Sequence, residues 1–236
     1  MSRRFEELAS QDTRLGLITL RRRIDPQIGV EIYEVKLDDE FLMSSLFTVA
    51  ERELATMGLA AAPGPNLDVL VGGLGLGYTA LTALADDRVR SLSVVDALGE
   101  VIAWHQQGLL PEATALNSDP RAQFIEGDFF ALMRGESAFD DCVPESFHAI
   151  LLDIDHTPRD VLHPSHSTFY TVAGLTQLSR HLTPDGIFGL WSDDPPDEDF
   201  LAALTTVFRE ATAQVVTFAN PLTRGESTAT VYVAAL

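Results

Sequence analysis

Three apolar runs, SLSVVD, AQFIEGD and FHAILLD, each end on an aspartate: Asp96, Asp128 and Asp153. All three follow the glycine-rich stretch VLVGGLGLGYTAL, Val69 to Leu81. A carboxylate at the end of a buried strand can accept from hydroxyls or an amino group, pair with a cation, or take a proton from a nucleophile. Glycines let a ligand lie against bare main chain and supply turn angles that a side chain would block. The spacing can be counted in two ways: GxGxG over Gly73, Gly75 and Gly77, or GxGxxA from Gly75 to Ala80. A strand-to-helix turn without a ligand would use the same glycines, and a single strand-end aspartate is commonly a helix N-cap. Three such acids in register behind one glycine turn point instead to a nucleoside ligand. Asp96 follows Gly77 at the roughly 20-residue spacing at which a carboxylate can accept both ribose hydroxyls.

A second group of reactive side chains follows Asp153: Asp155, His156, His163 and His166, with Tyr170 just beyond. HPSH spaces two imidazoles three apart, but PRDVLHPSH contains two prolines and reads as a loop, so no metal is assigned. His156 is a candidate base, since imidazole changes charge near neutral pH.

Composition narrows the function classes. The chain has 236 residues, 46% of them hydrophobic, enough for one sizeable core. Its 35 acidic against 16 basic residues leave a net charge of −19, which argues against nucleic acid or an anionic membrane as the main partner. The single cysteine, Cys142, excludes an intramolecular disulfide and a CxxC metal site and suits a reducing compartment. No leader-like N-terminus or membrane-length apolar run is read, so a cytoplasmic protein is expected.

These residues need elements to hold them. LGLITLRRRID and GVEIYEVKLDDEFLM alternate in character and read as an N-terminal β-hairpin region over residues 1–44. SSLFTVAERELATMGLAA reads as a helix with Glu51 and Arg52 outward. Strands and helices then alternate over residues 45–236: LDVLVGG, a helix from Tyr78, SLSVVD, a helix over Glu100 to Gln107, AQFIEGD, a helix over Phe130 to Arg134, and FHAILLD. A helix from Thr168 to Leu182, the strand GIFGLWS and a helix from Asp197 to Ala211 precede two last strands, AQVVTFAN and TATVYVAAL. Such alternation specifies an α/β fold with a mostly parallel sheet covered on both faces. The short link PLTRGES makes the last pair an antiparallel hairpin, as in a methyltransferase-type sheet.

From about Asp39 to Ser192 the sequence resembles the spermidine synthase-like branch of the class I S-adenosylmethionine-dependent transferases. The resemblance is carried by DEF before a helix, the GGLGLG turn, VVDALGEVI, DPRAQFIEGDFFAL, LLDIDHTP, and FY followed by HLTPDGI. It implies a Rossmann-like domain binding S-adenosylmethionine or decarboxylated S-adenosylmethionine against Gly73, Gly75 and Gly77. It further implies that Asp96 holds the ribose, Asp128 takes the adenine amine, Asp153 sits beside the transferred group, and Tyr170 is near the acceptor. Asp153 is then the expected base, or the residue orienting the nucleophile, with Asp155, His156 and Tyr170 assisting.

This chain departs from that family's pattern on the reactive side. Leu76 stands where the polyamine synthases have an aspartate in the glycine turn, and Met43 and Ser44 replace a tyrosine and a glutamine. The DxxDP-type acceptor stretch becomes Asp153-Ile154-Asp155-His156-Thr157-Pro158. Ordinary methyltransferases usually carry an acid just before the turn, where Val71 and Gly72 stand here. The expectation is a transferase acting on a small-molecule acceptor, not efficient with putrescine, with methyl and aminopropyl transfer both open. The alternatives are a polyamine aminopropyltransferase, a non-catalytic nucleoside-binding protein of the same fold, and an NAD-linked enzyme, which would leave Asp128 and the terminal hairpin unexplained. A homodimer is left open.

Overall fold

A computed structural model describes residues 5–236. Four strands open the chain: β1 (Phe5–Thr13), β2 (Gly16–Ile24), β3 (Glu31–Leu37) and β4 (Glu40–Ser44), an antiparallel sheet in chain order. The hairpin expected from alternation is its central pair, β2 and β3, turning between Ile24 and Glu31. A strand precedes it, and the run Gly29 to Met43 is cut in two by a tight turn at Asp38, whose φ is 51°. Ile18, Leu20 and Val35 are fully buried on the inner face of this sheet, which packs against the main core.

The helix α1 (Val49–Ala61) leads into the large sheet. Its strands are β5 (Leu67–Gly72), β6 (Val89–Asp96), β7 (Ala122–Glu126), β8 (Phe147–Leu152), β9 (Leu182–Ser192), β10 (Glu210–Asn220) and β11 (Gly225–Ala235). They lie in the order β10-β11-β9-β8-β5-β6-β7, with β11 antiparallel to both of its neighbours. The terminal antiparallel hairpin and the mostly parallel sheet are therefore as the sequence implies. Every residue of β5 is buried, as a strand covered on both faces requires. Its alternate residues feed two cores: Val69 and Val71 face α1, with α2 (Tyr78–Leu84), α3 (Gly99–Gln106) and α4 (Ala113–Ser118) also on that side. Leu70 faces the opposite core, which takes in α5 (Phe129–Arg134), α6 (Val172–Ser179) and α7 (Glu198–Val207).

Two helices are shorter than their sequence pattern suggests. Residues 168–170 lie outside α6 because Thr171 caps it, its Oγ1 accepting from Gly174 N at 3.3 Å. At the other end the His181 carbonyl accepts from Phe147 N at 2.8 Å, drawing the chain into β9. Asp197 caps α7 through Asp199 N and Phe200 N, and the chain is already extended by Glu210. The helix α4, which the alternation did not reveal, is a two-turn insert whose Ala113 and Leu116 are buried.

The strand order reverses between β5 and β8, and there the two chains meet closely. Asp153 N donates to the Gly72 carbonyl at 2.8 Å. Gly73 has φ 95°, and a Cβ on it would lie 2.1 Å from the Asp153 carbonyl oxygen. Both the angle and the contact demand glycine. Gly73→Ala is accordingly expected to cost about 1–3 kcal/mol. Thermal unfolding followed by circular dichroism should show a melting temperature several degrees below that of the parent; an unchanged value would mean that the turn can relax elsewhere.

Candidate functional site

Beyond the carboxyl ends of β5, β6, β7 and β8 lies a cavity of about 500 Å³. A crevice at the strand-order reversal is where open α/β sheets bind ligands, and its size suits a nucleoside. The large sheet supplies Gly73, Gly75, Asp96 and Asp128, while Ile18, Leu37, Leu42 and Met43 of the first sheet roof it over. Arg14 ties roof to floor, donating to the Ala97 carbonyl at 3.3 Å. The N-terminal sheet thus completes the site.

The two acids lining the larger cavity beside Asp153 are held rigidly. Asp96 accepts from Leu74 N through Oδ2 and from Leu98 N through Oδ1, each at 2.9 Å. Burial raises its pKa, while the N–H groups of Leu98, Leu74 and Gly75 oppose that rise. Asp128 is an N-cap, its Oδ1 accepting from Phe130 N at 2.9 Å and Ala131 N at 3.1 Å. Its Oδ2 has no hydrogen-bond partner among the described residues, and the side chain lines the cavity. Capping and ligand binding are compatible here because a carboxylate has about four lone-pair sites. The glycine turn has a further support: buried His105 donates from Nε2 to the Gly75 carbonyl at 2.9 Å, and burial lowers its pKa, keeping it neutral.

A second cavity, about 250 Å³, adjoins the first. Leu42, Met43, Gly75, Asp153 and Ile154 line both. At Gly75, φ is 48° and a Cβ would come within 3.0 Å of Met43 Sδ, so the bare turn leaves room for Met43 at the junction. The smaller cavity has carboxyl groups from Glu51, Asp153 and Asp193 and aromatic walls from Phe47, Tyr78 and Trp191. Thr79 Oγ1 donates to Asp153 Oδ2 at 2.7 Å and lies 3.3 Å from the Glu51 carbonyl. Burial pushes the Asp153 carboxyl up to about 6. Burial first, and then the neighbouring Asp153 charge, push Glu51 up to about 8. His156 stands at the same cavity, its Nε2 3.4 Å from Glu40 Oε1.

Asp155 and Tyr170 lie behind this surface, and neither is among the residues lining the two cavities. Asp155 is 1% exposed and accepts from Leu162 N at 2.8 Å, His166 Nδ1 at 2.8 Å and Tyr170 Oη at 2.7 Å. Burial, and then the Asp155 charge, drive the Tyr170 phenol well above its ordinary value. His166 in turn stacks on Phe130 with ring centroids 3.9 Å apart and lines the larger cavity. This buried network anchors the loop from Asp153 to Thr171.

The glycines, Asp96, Asp128, Asp153 and His156 therefore converge on two joined cavities, and Asp155 and Tyr170 support them from behind. Among the described residues, no group of three or more His, Cys, Asp or Glu is arranged to hold a metal ion. Glu51, expected outward, points into the small cavity instead. The signal was available: Glu51, Ala55 and Gly58 share one helix face at i, i+4 and i+7, and the last two are buried. Small residues made that face look unremarkable. Asp193 and Trp191 sit at the end of β9, where the strand carries them to the same rim as the other acids.

No family model and no curated protein matches the chain. Solved structures do. A spermidine synthase in complex with the transition-state analogue AdoDATO superposes with a TM-score of 0.72 at 19% identity, covering 97% of this chain and 72% of that one. A probable spermidine synthase from Corynebacterium glutamicum gives 0.65 at 16% identity, over 96% and 79% of the two chains. Human Methyltransferase-like protein 13, in complex with SAH, gives 0.60 at 19% identity, over 79% and 82%. The chain thus has the methyltransferase fold, and nearly its whole length superposes on a spermidine synthase. No helix among the described residues is long and apolar enough to cross a membrane.

The raised carboxyls make stability depend on pH. Asp153 and Glu51 move up from ordinary values of 3.8 and 4.5, so both bind protons more tightly in the folded state. Their favourable contribution is present at low pH and is lost as pH rises through about 6 and about 8. Glu51→Gln should therefore melt well above the parent at about pH 9, by several degrees or more, with little difference below about pH 4. A pH-independent difference would show that Glu51 ionises as it does in water.

Proposed function

We propose that this chain is a transferase that binds S-adenosylmethionine, or its decarboxylated relative, in the larger cavity and delivers a group to a small amine in the smaller one. The observation that carries this reading is the meeting of a nucleoside-sized cavity with an acid-lined one at Met43, Gly75, Asp153 and Ile154. The residues fit such a donor. The turn presents bare backbone at Gly73 and Gly75, where a Cβ would collide with Asp153 or press on Met43. Asp96 and Asp128 are fixed by backbone N–H groups and keep lone pairs for ribose hydroxyls and the adenine amine.

When bound, such a donor supplies a sulfonium whose attached carbon is already activated for displacement. The protein's task is then alignment, exclusion of water and removal of a proton. Asp153 stands where the cavities join, oriented by Thr79, with a pKa of about 6 that lets it accept a proton near neutrality. Asp193 adds negative potential at the mouth, and the aromatic ring of Trp191 suits a cation. Asp155 and Tyr170 act as positioning residues, holding the loop that carries His163 and His166 to the donor cavity.

Putrescine is not the acceptor best suited to this site. Leu76, 5% exposed, offers no charge where the glycine turn meets the small cavity, and Asp155 is already committed to three donors. A diamine with an aminopropyl donor would bring cations that these groups do not pair. That commitment of Asp155 and Tyr170 also favours a second reading, a nucleoside-binding protein without turnover.

Two substitutions test the reading. Asp96→Ala should weaken binding of methylthioadenosine about ten- to a hundredfold by calorimetry, the worth of charge-assisted bonds to ribose hydroxyls. Unaltered affinity in a folded variant would remove Asp96 from the ribose. Asp153→Asn should keep that affinity but slow single-turnover transfer to small amines by about two to four orders of magnitude. Equal rates would take Asp153 out of the chemistry, and no transfer by the parent to any amine would favour the non-catalytic reading.

A further inference from the structure

The smaller cavity gathers carboxyl groups from three elements: Glu51 on α1, Asp153 after β8 and Asp193 after β9. Asp193 is exposed at the mouth, where water screens it, whereas Glu51 and Asp153 are both held up by burial. The other polar and charged groups around Glu51 are few. Arg52 follows it on α1, with its guanidinium 4.8 Å over the Tyr78 ring and 3.8 Å from Glu112. Tyr78 of α2 and His156 of the loop after β8 complete the cavity's titratable lining. Trp191 brings a buried indole N–H that has no hydrogen-bond partner among the described residues.

Two carboxyl groups sharing a partly dry cavity do not ionise independently; the first charge opposes the second. The surroundings decide which of the two keeps the proton. Thr79 donates its hydroxyl to Asp153 and so stabilises the Asp153 anion. Glu51 meets only its own backbone N–H, and its nearest cation, Arg52, is drawn aside to Tyr78 and Glu112.

We infer that Glu51 and Asp153 form one acid pair holding a single proton, Glu51 keeping it and Asp153 carrying the charge, so that the cavity recognises an acceptor with one ammonium and not two. The order of their ionisation, Asp153 at about 6 and Glu51 at about 8, follows from burial and from the Asp153 charge. An entering R–NH₃⁺ gives one proton to the Asp153 carboxylate and is left with its nitrogen lone pair. That pair forms the new N–C bond as the C–S bond breaks, and the C–S electrons remain on the sulfur as a thioether. The proton on Asp153 passes to water as the product leaves with its own charge on nitrogen. Protonated Glu51 is a hydrogen-bond donor, which suits an uncharged, hydrogen-bond-accepting far end on the acceptor.

The inference rests on the amine-transferase reading, and two measurements keep the two apart. Carboxyl ¹³C NMR of the unliganded protein reads the pair without any donor. A glutamate resonance titrating near 8 and absent from Glu51→Gln is expected, moving to lower pH in Asp153→Asn; a parent without such a resonance overturns the pair. Calorimetry on protein saturated with methylthioadenosine then compares putrescine with propylamine. The putrescine-to-propylamine affinity ratio should rise about fivefold between about pH 7 and about pH 8.5 in the parent, as Glu51 ionises, and stay flat in Glu51→Gln. A flat ratio in the parent, or an equal rise in Glu51→Gln, overturns the single-charge cavity. Failure of methylthioadenosine to bind would overturn the donor reading, and the carboxyl titration would still decide the pair.

Discussion

The backbone contact between the ends of β5 and β8 organises everything around it. Asp153 N bonds to the Gly72 carbonyl, and Gly73 passes so close to the Asp153 carbonyl that no side chain fits. That contact sets the glycine turn and the Asp153 carboxyl at the same point, so the same residues bound both cavities. Thr79, one turn further along the chain, then reaches Asp153, and through the Glu51 carbonyl it fixes the start of α1. A larger residue at the turn would separate the larger cavity from the acid-lined one.

The N-terminal sheet contributes more than its size implies. Without Ile18, Leu37, Leu42 and Met43 the larger cavity would be an open crevice at the strand ends. Roofing removes water, and in its absence burial raises the Asp96, Asp153 and Glu51 carboxyls. The same dryness that raises the Asp153 carboxyl makes a second adjacent charge costly. The raised carboxyl and the restricted charge capacity thus have one origin. The cost is met locally: Asp96 by three backbone N–H groups, Asp153 by Thr79, and Asp155 by His166, Tyr170 and Leu162 N.

Most of the parallel sheet was legible in the sequence because its strands are continuous apolar runs, as in β5, closed by acids and glycines. The terminal hairpin was legible from the brevity of its link. The first strand was harder to see, because β1 is largely polar and lies at the sheet edge, with only weak alternation. The start of α6 was overextended because FYTVAGL has helical composition, while the Thr171 cap that ends the loop depends on its hydrogen bond to Gly174. Within the site, register behind the glycine turn placed Asp96, Asp128 and Asp153 on one rim. Glu51 was missed because a charge followed by Arg52 and Glu53 on an amphipathic helix reads as solvated when its neighbours at i+4 and i+7 are small. Asp155 and Tyr170 were grouped with the chemistry by resemblance to acceptor-side residues, yet Asp155 is buried and bonded to Tyr170 behind the cavities. Sequence spacing reports proximity better than direction.

On the proposed function the larger cavity takes an adenosyl thioether or sulfonium in preference to a dinucleotide. Isothermal calorimetry of the purified parent protein against methylthioadenosine, S-adenosylmethionine, decarboxylated S-adenosylmethionine and NAD tests it most directly. At least one of the sulfur-bearing adenosyl ligands should bind with a Kd on the order of micromolar, about −8 kcal/mol, and NAD at least about tenfold more weakly. Tight binding of NAD with none of the adenosyl sulfur compounds would contradict the claim.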